Sequence, residues 1–527
     1  MFLFLDTESS GLSKTFSQVY EIAMIATDAE LNMMSSLHTD CARLPWNIPG
    51  PGALLITGIT PDQLKNNPRG HYEMMQEVND YVDGQNWPVV FAGYNILGYD
   101  QAVLAQNLHQ TLYDPFVMTA CKDWQAEPNN VFDVFELVKA VHIYAPSVLK
   151  LDIKTKTGKP SMALGNVARQ NDIDLSEEDA HGAFSDTKAT IDLAKKLKQE
   201  APQIWDQMLK MSNSKKVEAF LQDNEVFAYS QCPYGAAHSV IGTRLSDVED
   251  SKTEALIWDL NVDPAEYADA SDEKLTKMLR SWGRVRFQQP IQPIRKHKQP
   301  ILMPVDQADV VWPQGLTKQE VAQRVQYLKE NPDFAQRVAH LAKQAQKSFP
   351  PGVEPEQQMY EKPDCKVQLM LENWKERFHK ADWEEKLKLT EELKQRLASD
   401  IRKTPSLKRF VTFAQRLIYA NAPELLTEAQ QEKIGASLHN RRVSSEKTPY
   451  MTIPKARAEL KQIERERAEG LDKWKHVTDS DIRSLKLYYT ALEKEFSHLS
   501  GKKAAVNNDA LNAAPSKAKR KQSPKSR

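Results

Sequence analysis

Cysteine is scarce and scattered in this chain. Only four occur in 527 residues, Cys41, Cys121, Cys232 and Cys365, and no two form a C-x-x-C pair. That spacing argues against a zinc site and against a disulfide-stapled secreted fold. No run of 18 apolar residues is present, so no membrane-spanning helix is expected. The opening Met-Phe-Leu-Phe-Leu lacks a basic flank and runs straight into Asp6, unlike a leader peptide. Internal repeats are absent too. A soluble cytoplasmic protein of roughly two to four domains is the class that remains.

Excess charge is also lacking, since the net value is −1. The balance hides an asymmetry. Residues 1–200 carry 15 basic and 26 acidic side chains, and the remaining 327 carry 55 and 45. Residues 501–527 alone hold eight basic residues and one acidic, without aromatics, and read as a disordered basic tail. This distribution suits a protein that holds a polyanion with one region and works on it with another, although a solvated tail gives the same arithmetic.

What the acidic region does contain is an ordered set of chemistry-bearing residues. Asp6 and Glu8 end the apolar run in MFLFLDTES, Asp100 ends GYNILGYD, and His181 and Asp186 lie in HGAFSD. A strand has a side-chain period of two, so Asp6 and Glu8 share a face. Converging carboxylates make an oxygen-rich site for hard cations, and a pair of such ions about 4 Å apart suits in-line attack on a phosphodiester. His181 and Asp186 are five residues apart, which on one helix would separate them by roughly 140°. His181 is therefore expected in the loop entering a helix that runs from about Thr187 to Glu200. Asp100 opens a helix as well, where N-capping is a competing use.

The order Asp-x-Glu, Asp, His-x4-Asp resembles the exonuclease superfamily named for its Asp-Glu-Asp-Asp-His set. Three strings, PGPGALLITGITPDQL, GYNILGYDQAVL and HGAFSDTKATIDLAKKL, are similar to the bacterial exodeoxyribonuclease I family. The likeness continues through YGAAHSVIGTRLS, RKHKQPILMP and LHNRR, to about residue 450. It implies stepwise removal of 5′-mononucleotides from the 3′ end of single-stranded DNA. Asp6, Glu8 and Asp186 would bind two Mg²⁺ or Mn²⁺ ions, Asp100 would complete the site, and His181 would act as general base. Leu55, Thr57 and Gly58 of LLITGIT, with Glu8 and Asn95, would hold the terminal nucleotide, and Glu21 would lie near its sugar. The family also implies a monomer and a partner, the acidic tail of single-stranded DNA-binding protein.

The fold class implied is α/β. An RNase H-like mixed-sheet exonuclease domain (1–200) would precede an SH3-like β-rich DNA-binding domain (201–355) and an all-helical domain (356–500). Short apolar runs alternating with helical patterns in the first region agree with this. In the middle, EVFAYSQ, HSVIGTRLS and EALIWDLN read as strands, followed by a proline-punctuated run. Arg284, Arg286 and Lys298, interleaved with Trp282 and Phe287, are candidates for gripping the strand by phosphate contact and stacking. Lys408, Arg409, Arg416, Arg441 and Arg442 form a second candidate basic patch. Two features depart from the family. Thr7 stands where an aromatic is usual, and IYANAPELL lacks the arginines expected there. A proofreading or RNA-trimming exonuclease and a non-catalytic DNA-binding scaffold are the alternative readings.

Overall fold

The FLFL run becomes the central strand of a five-stranded mixed sheet. The computed structural model describes residues 1–122, 126–175, 182–281, 283–346 and 352–495. Strands β1 (Phe2–Ser9), β2 (Val19–Thr27), β3 (Met33–Asp40), β4 (Val90–Gly93) and β5 (Asn130–Asp133) lie in the order β3-β2-β1-β4-β5. The first three pair antiparallel, while β4 and β5 run parallel to β1. Seven helices belong to this part: α1 (Pro51–Thr57), α2 (Pro61–Asn66), α3 (His71–Asp83), α4 (Asp100–Gln110), α5 (Val134–Tyr144), α6 (Leu164–Gln170) and α7 (Ala183–Glu200).

Helices on both faces explain why β1 starts as an unbroken apolar run. Phe2 and Phe4 pack with Leu137 of α5, Leu193 of α7 and Trp205. Leu3 and Leu5 point the other way, toward Met75 of α3 and Leu104 of α4. The same alternation sends Asp6 and Glu8 to the α7 face and Thr7 to the α4 face.

One expected boundary is corrected. Helix α7 begins at Ala183, with Gly182 as its extended N-cap residue, not near Thr187. The Asp186 amide already bonds the Gly182 carbonyl at 3.1 Å. Asp186 thus lies inside the first turn, where one side faces the acidic strand end and interrupts the apolar pattern.

In the middle region, β6 (Phe227–Gln231), β7 (His238–Asp247), β8 (Glu254–Asp259), β9 (Ile291–Arg295) and β10 (Ile301–Pro304) form an antiparallel sheet. The proline-rich run supplies its two edges, where a missing amide is tolerated. This region is less purely β than its sequence suggests. It also holds helices Pro202–Met211, Ser214–Asp223, Lys318–Glu330 and Pro332–Ala345, the last two burying Val325 and Val338.

The C-terminal part is helical, as its pattern implies. Trp374, Phe378 and Phe413 join the core on the α3–α4 side of the sheet. Ile453, Leu460, Trp474 and Tyr489 form a separate core with Tyr20, Ile48 and Leu54. Among the described residues no helix is long and apolar enough to cross a membrane.

Candidate active site

Three of the expected ligands meet. Ligand oxygens of Asp6, Glu8 and Asp186 all lie within 4.8 Å of one another. Strand β1 carries the first two, and α7, packed across the same face, brings the third. Asp100 sits at the first position of α4, only 5% exposed, with Tyr99 as the N-cap residue. Its carboxylate does not cap α4 in that sense. Instead Oδ1 accepts a hydrogen bond from the Thr7 hydroxyl at 2.6 Å.

The electrostatics are those of a crowded, partly buried set of like charges. Burial, then Asp100, Glu8, Asp186 and Glu21, raises the Asp6 carboxyl well above its usual range. Burial, followed by Asp186, Glu21 and Asp100, pushes Glu8 up to about 9. Asp100 is raised by burial to about 6, with the Thr7 hydroxyl pulling the other way. Such a cluster is costly alone and is relieved by a dication. The donors are all oxygen, without nitrogen or thiolate, which fits Mg²⁺ or Mn²⁺.

Glu21, expected near the terminal sugar, stands close enough to Asp6 and Glu8 to help raise both carboxyls. It pairs with Glu8 across the β1–β2 ladder, and its Oε1 accepts the Ala183 amide at 3.2 Å. The same oxygen lies 2.8 Å from His38 Nε2. Glu21 therefore ties the start of α7 to the sheet. His181 lies outside the described residues.

Asn95 is exposed on the loop between β4 and α4, with a positive φ of 63° that asparagine tolerates. Its amide, with that of Leu97, is held by the buried Asp133 carboxylate at 2.9 and 3.1 Å. Lys298 reaches this loop from the middle region, its Nζ 3.0 Å from the Leu97 carbonyl. Burial and the neighbouring Lys14 and Arg295 lower its ammonium below the usual value. Arg286 lies beside Phe287, which stacks on His238 at 5.1 Å. The Arg284 side chain and Trp282 lie outside what the structure describes.

Leu54 to Thr57 of the LLITGIT segment lie in helix α1, which is followed by Gly58 with φ +70°. A cavity of about 700 Å³ opens beside Glu8 and is lined by Ala53, Ile56 and Thr57. Leu55 faces the helical C-terminal core instead, and its carbonyl accepts from His476. Leu12, 93% exposed, stands at the cavity's edge and was not singled out from sequence. Its signal was an apolar residue in a Ser-Gly loop directly after the acidic strand.

The second basic patch is overturned. Arg409 is buried and donates to the Ser406 and Glu361 carbonyls. Arg416 and Arg441 both pair with buried Glu356, at 2.9 and 2.8 Å. Arg442, 1% exposed, donates to the carbonyls of Pro45 and Leu492. Only Lys408 is exposed among the five. A buried guanidinium needs partners, and these four serve as internal braces.

Residues 3–194 match the family model RNase_T, described as exonuclease. An exodeoxyribonuclease I of Buchnera aphidicola is 27% identical over 240 residues, covering 45% of this chain and 56% of its own length. The Escherichia coli exodeoxyribonuclease I is 23% identical over 372 residues, covering 68% of this chain and 75% of that protein. The chain is similar in sequence to bacterial exodeoxyribonuclease I. Its three-part architecture is shared as well. The crystal structure of E. coli exonuclease I with a dA16 oligonucleotide superposes with a TM-score of 0.72 at 20% identity, covering 93% of this chain and 99% of that one. The exonuclease I of Methylocaldum szegediense gives 0.73 at 18% identity, with the same coverage. The Buchnera match spans little more than half of that relative, whereas the fold is shared over 93% of this chain.

Proposed function

We propose that the protein is a 3′→5′ exonuclease that shortens single-stranded DNA one nucleotide at a time in DNA repair or recombination. The observation that carries this reading is the convergence of Asp6, Glu8 and Asp186 beside buried Asp100, inside the region that matches the exonuclease family. Divalent cations held there, Mg²⁺ or Mn²⁺, would acidify the attacking water and stabilise the leaving 3′ oxygen.

The chain's own residues do the rest. Asp6, Glu8 and Asp186 would hold the ions, and Asp100 adds negative charge at a position fixed by Thr7. His181 orients the water and takes its proton, a task suited to a group whose reference pKa is about 6.5. Attack breaks the bond between phosphorus and the 3′ oxygen of the penultimate nucleotide. A nucleoside 5′-monophosphate leaves, and a new 3′ hydroxyl remains. Thr57 of α1 and Gly58 after it, with Asn95 and Glu8, hold the terminal nucleotide, and Leu55 keeps α1 anchored. Arg284, Arg286 and Lys298 track the strand behind it. This places catalysis in residues 1–200 and strand holding in 201–355, with 356–500 as the helical support. The protein is read as a cytoplasmic monomer whose partner is the acidic tail of single-stranded DNA-binding protein.

The deciding experiment follows a 5′-labelled single-stranded oligonucleotide with Mg²⁺ and with EDTA, beside duplex DNA and RNA of the same sequence. A descending ladder confined to single-stranded DNA with metal is expected. Preference for RNA would favour an RNA-trimming enzyme, and no metal-dependent shortening of any substrate would favour a binding scaffold.

A further inference from the structure

We infer that the helical C-terminal region forms the second wall of the terminal-nucleotide pocket, and that Glu459 is a positioning residue holding α1 in place. The inference rests on the proposed reading of α1 as the element that grips the terminal nucleotide.

Seven residues are too few for a helix to hold itself in water, and the α1 N-cap residue, Gly50, offers no side chain. Its anchors come from about 400 residues further along the chain. Glu459, on the helix Ile453–Ala468, accepts the Gly52 amide at Oε1, 3.0 Å away. Tyr489 donates its hydroxyl to the Pro49 carbonyl at 2.9 Å. His476 Nε2 lies 3.0 Å from the Leu55 carbonyl. Both ends of α1 are therefore fastened to the helical region.

The apolar side tells the same story. Leu54 is buried among Ile453, Leu460, Ile463 and Trp474, not in the core of the mixed sheet. Helical spacing then turns Ala53, Ile56 and Thr57 toward the cavity that Glu8 shares. Lys455, Gln462 and Trp474 line the same cavity from the helical side. Contact between the two regions is close. A Cβ on Gly52 would lie 2.8 Å from Glu459 Oε1, so this position accepts only glycine while the carboxylate stays. Moving α1 by a fraction of an ångström against Glu8 would displace the nucleotide from the reacting geometry.

The test uses the full-length protein, with KM and kcat measured separately on single-stranded DNA. Glu459→Ala should raise KM about five- to tenfold, the weight of roughly one hydrogen bond, and leave kcat within about twofold. Glu459→Gln keeps an acceptor oxygen and should restore KM. A role in folding alone would lower kcat through a smaller active fraction and leave KM unchanged, and that result overturns the inference. Gly52→Ala should raise KM in the wild-type background and have less effect in Glu459→Ala; strict additivity of the two also overturns it. Ile56→Ala on the cavity face of α1 serves as control. If it raises KM while Glu459→Ala does not, the inference fails and the reading of α1 stands. If Ile56→Ala leaves KM untouched, both fail.

Discussion

Thr7 donates its hydroxyl hydrogen to Asp100 at 2.6 Å, from the face of β1 opposite Asp6 and Glu8. The bond is buried, with Thr7 only 7% exposed. Burial raises Asp100 to about 6, and the Thr7 bond is the main opposing influence. Thr7→Val keeps the shape and removes the donor, so the Asp100 carboxyl should move up toward neutrality. Half-saturation by Mg²⁺ at pH 7 should then need about tenfold more ion, equivalent to a charged hydrogen bond of roughly 1.5 kcal/mol. Thr7→Ser should recover most of it, and the deficit should shrink at pH 8. Calorimetric Mg²⁺ titration checks this without relying on turnover, and an unchanged midpoint in Thr7→Val would refute it.

The acidic cluster also sets a pH dependence. Glu8 rises from 4.5 unfolded to about 9 folded, through burial first and then Asp186, Glu21 and Asp100. A group raised in this way contributes its full stability below the unfolded value, and loses that contribution as pH climbs toward 9. In EDTA, wild-type Tm should therefore fall between pH 6 and 9 relative to Asp186→Asn, which carries one repelling charge fewer. Mg²⁺ must displace the bound protons, so it should raise Tm more at pH 8.5 than at pH 6. Asp186→Asn should abolish hydrolysis while retaining the native circular dichroism spectrum. Parallel Tm curves for the two proteins in EDTA would count against the proton-sharing account.

How much of this was legible in the sequence depends on whether the signal was local. Asp6 and Glu8 could be assigned to one face because a strand covered on both sides has a fixed period of two. Asp100 stood at a helix start, as its motif suggests. The first turn of α7 was missed because Asp186 turns toward the acidic strand end, where apolar periodicity lapses. Thr7 registered only as a departure, since its bond depends on how closely α4 approaches β1. Arg416 and Arg441 looked like a free basic surface because their partner, Glu356, is 60 or more residues distant. Runs of charge in sequence carry no information about burial. The α1 anchors were beyond reach for the same reason, coming from Glu459, His476 and Tyr489.

Asp133 is expected to matter more for the site than its distance from the cluster suggests. Its carboxylate accepts three backbone amides, from Asn95, Leu97 and Phe135, on two different oxygens. Gln299 of the middle region clasps the Asp133 backbone at both amide and carbonyl. Asp133→Asn replaces one acceptor oxygen with a donor, setting an amide against the Asn95 or Leu97 N–H. The expected cost is about 1–3 kcal/mol, with a loosened β4–α4 loop and a lower kcat. Because burial pushes the Asp133 carboxyl up to about 7, the difference between wild type and variant should vary across that pH. Denaturant midpoints and kcat at pH 6 and 8 provide the readout, and no change in either would remove Asp133 from this role.

Glu356 illustrates the opposite sign. Burial alone would raise its carboxyl, but Arg441 and then Arg416 overcome this and hold it below the usual value. Its stabilising contribution is therefore present above the unfolded value of about 4.5 and lost as pH falls through the folded one. Glu356→Ala would take the ion-pair partner from Arg416 and leave Arg441, which lies 4.2 Å over the Tyr450 ring, with Glu354 at 3.7 Å. Removing one partner of a buried ion pair typically costs about 3–5 kcal/mol. The equilibrium denaturation midpoint should fall sharply. Lys408→Ala, from the same candidate basic patch as Arg416 and Arg441 but solvent-exposed, should stay within about 0.5 kcal/mol of wild type. Equal effects from the two variants would show that the Glu356 triad bears no more of the fold than an ordinary surface charge.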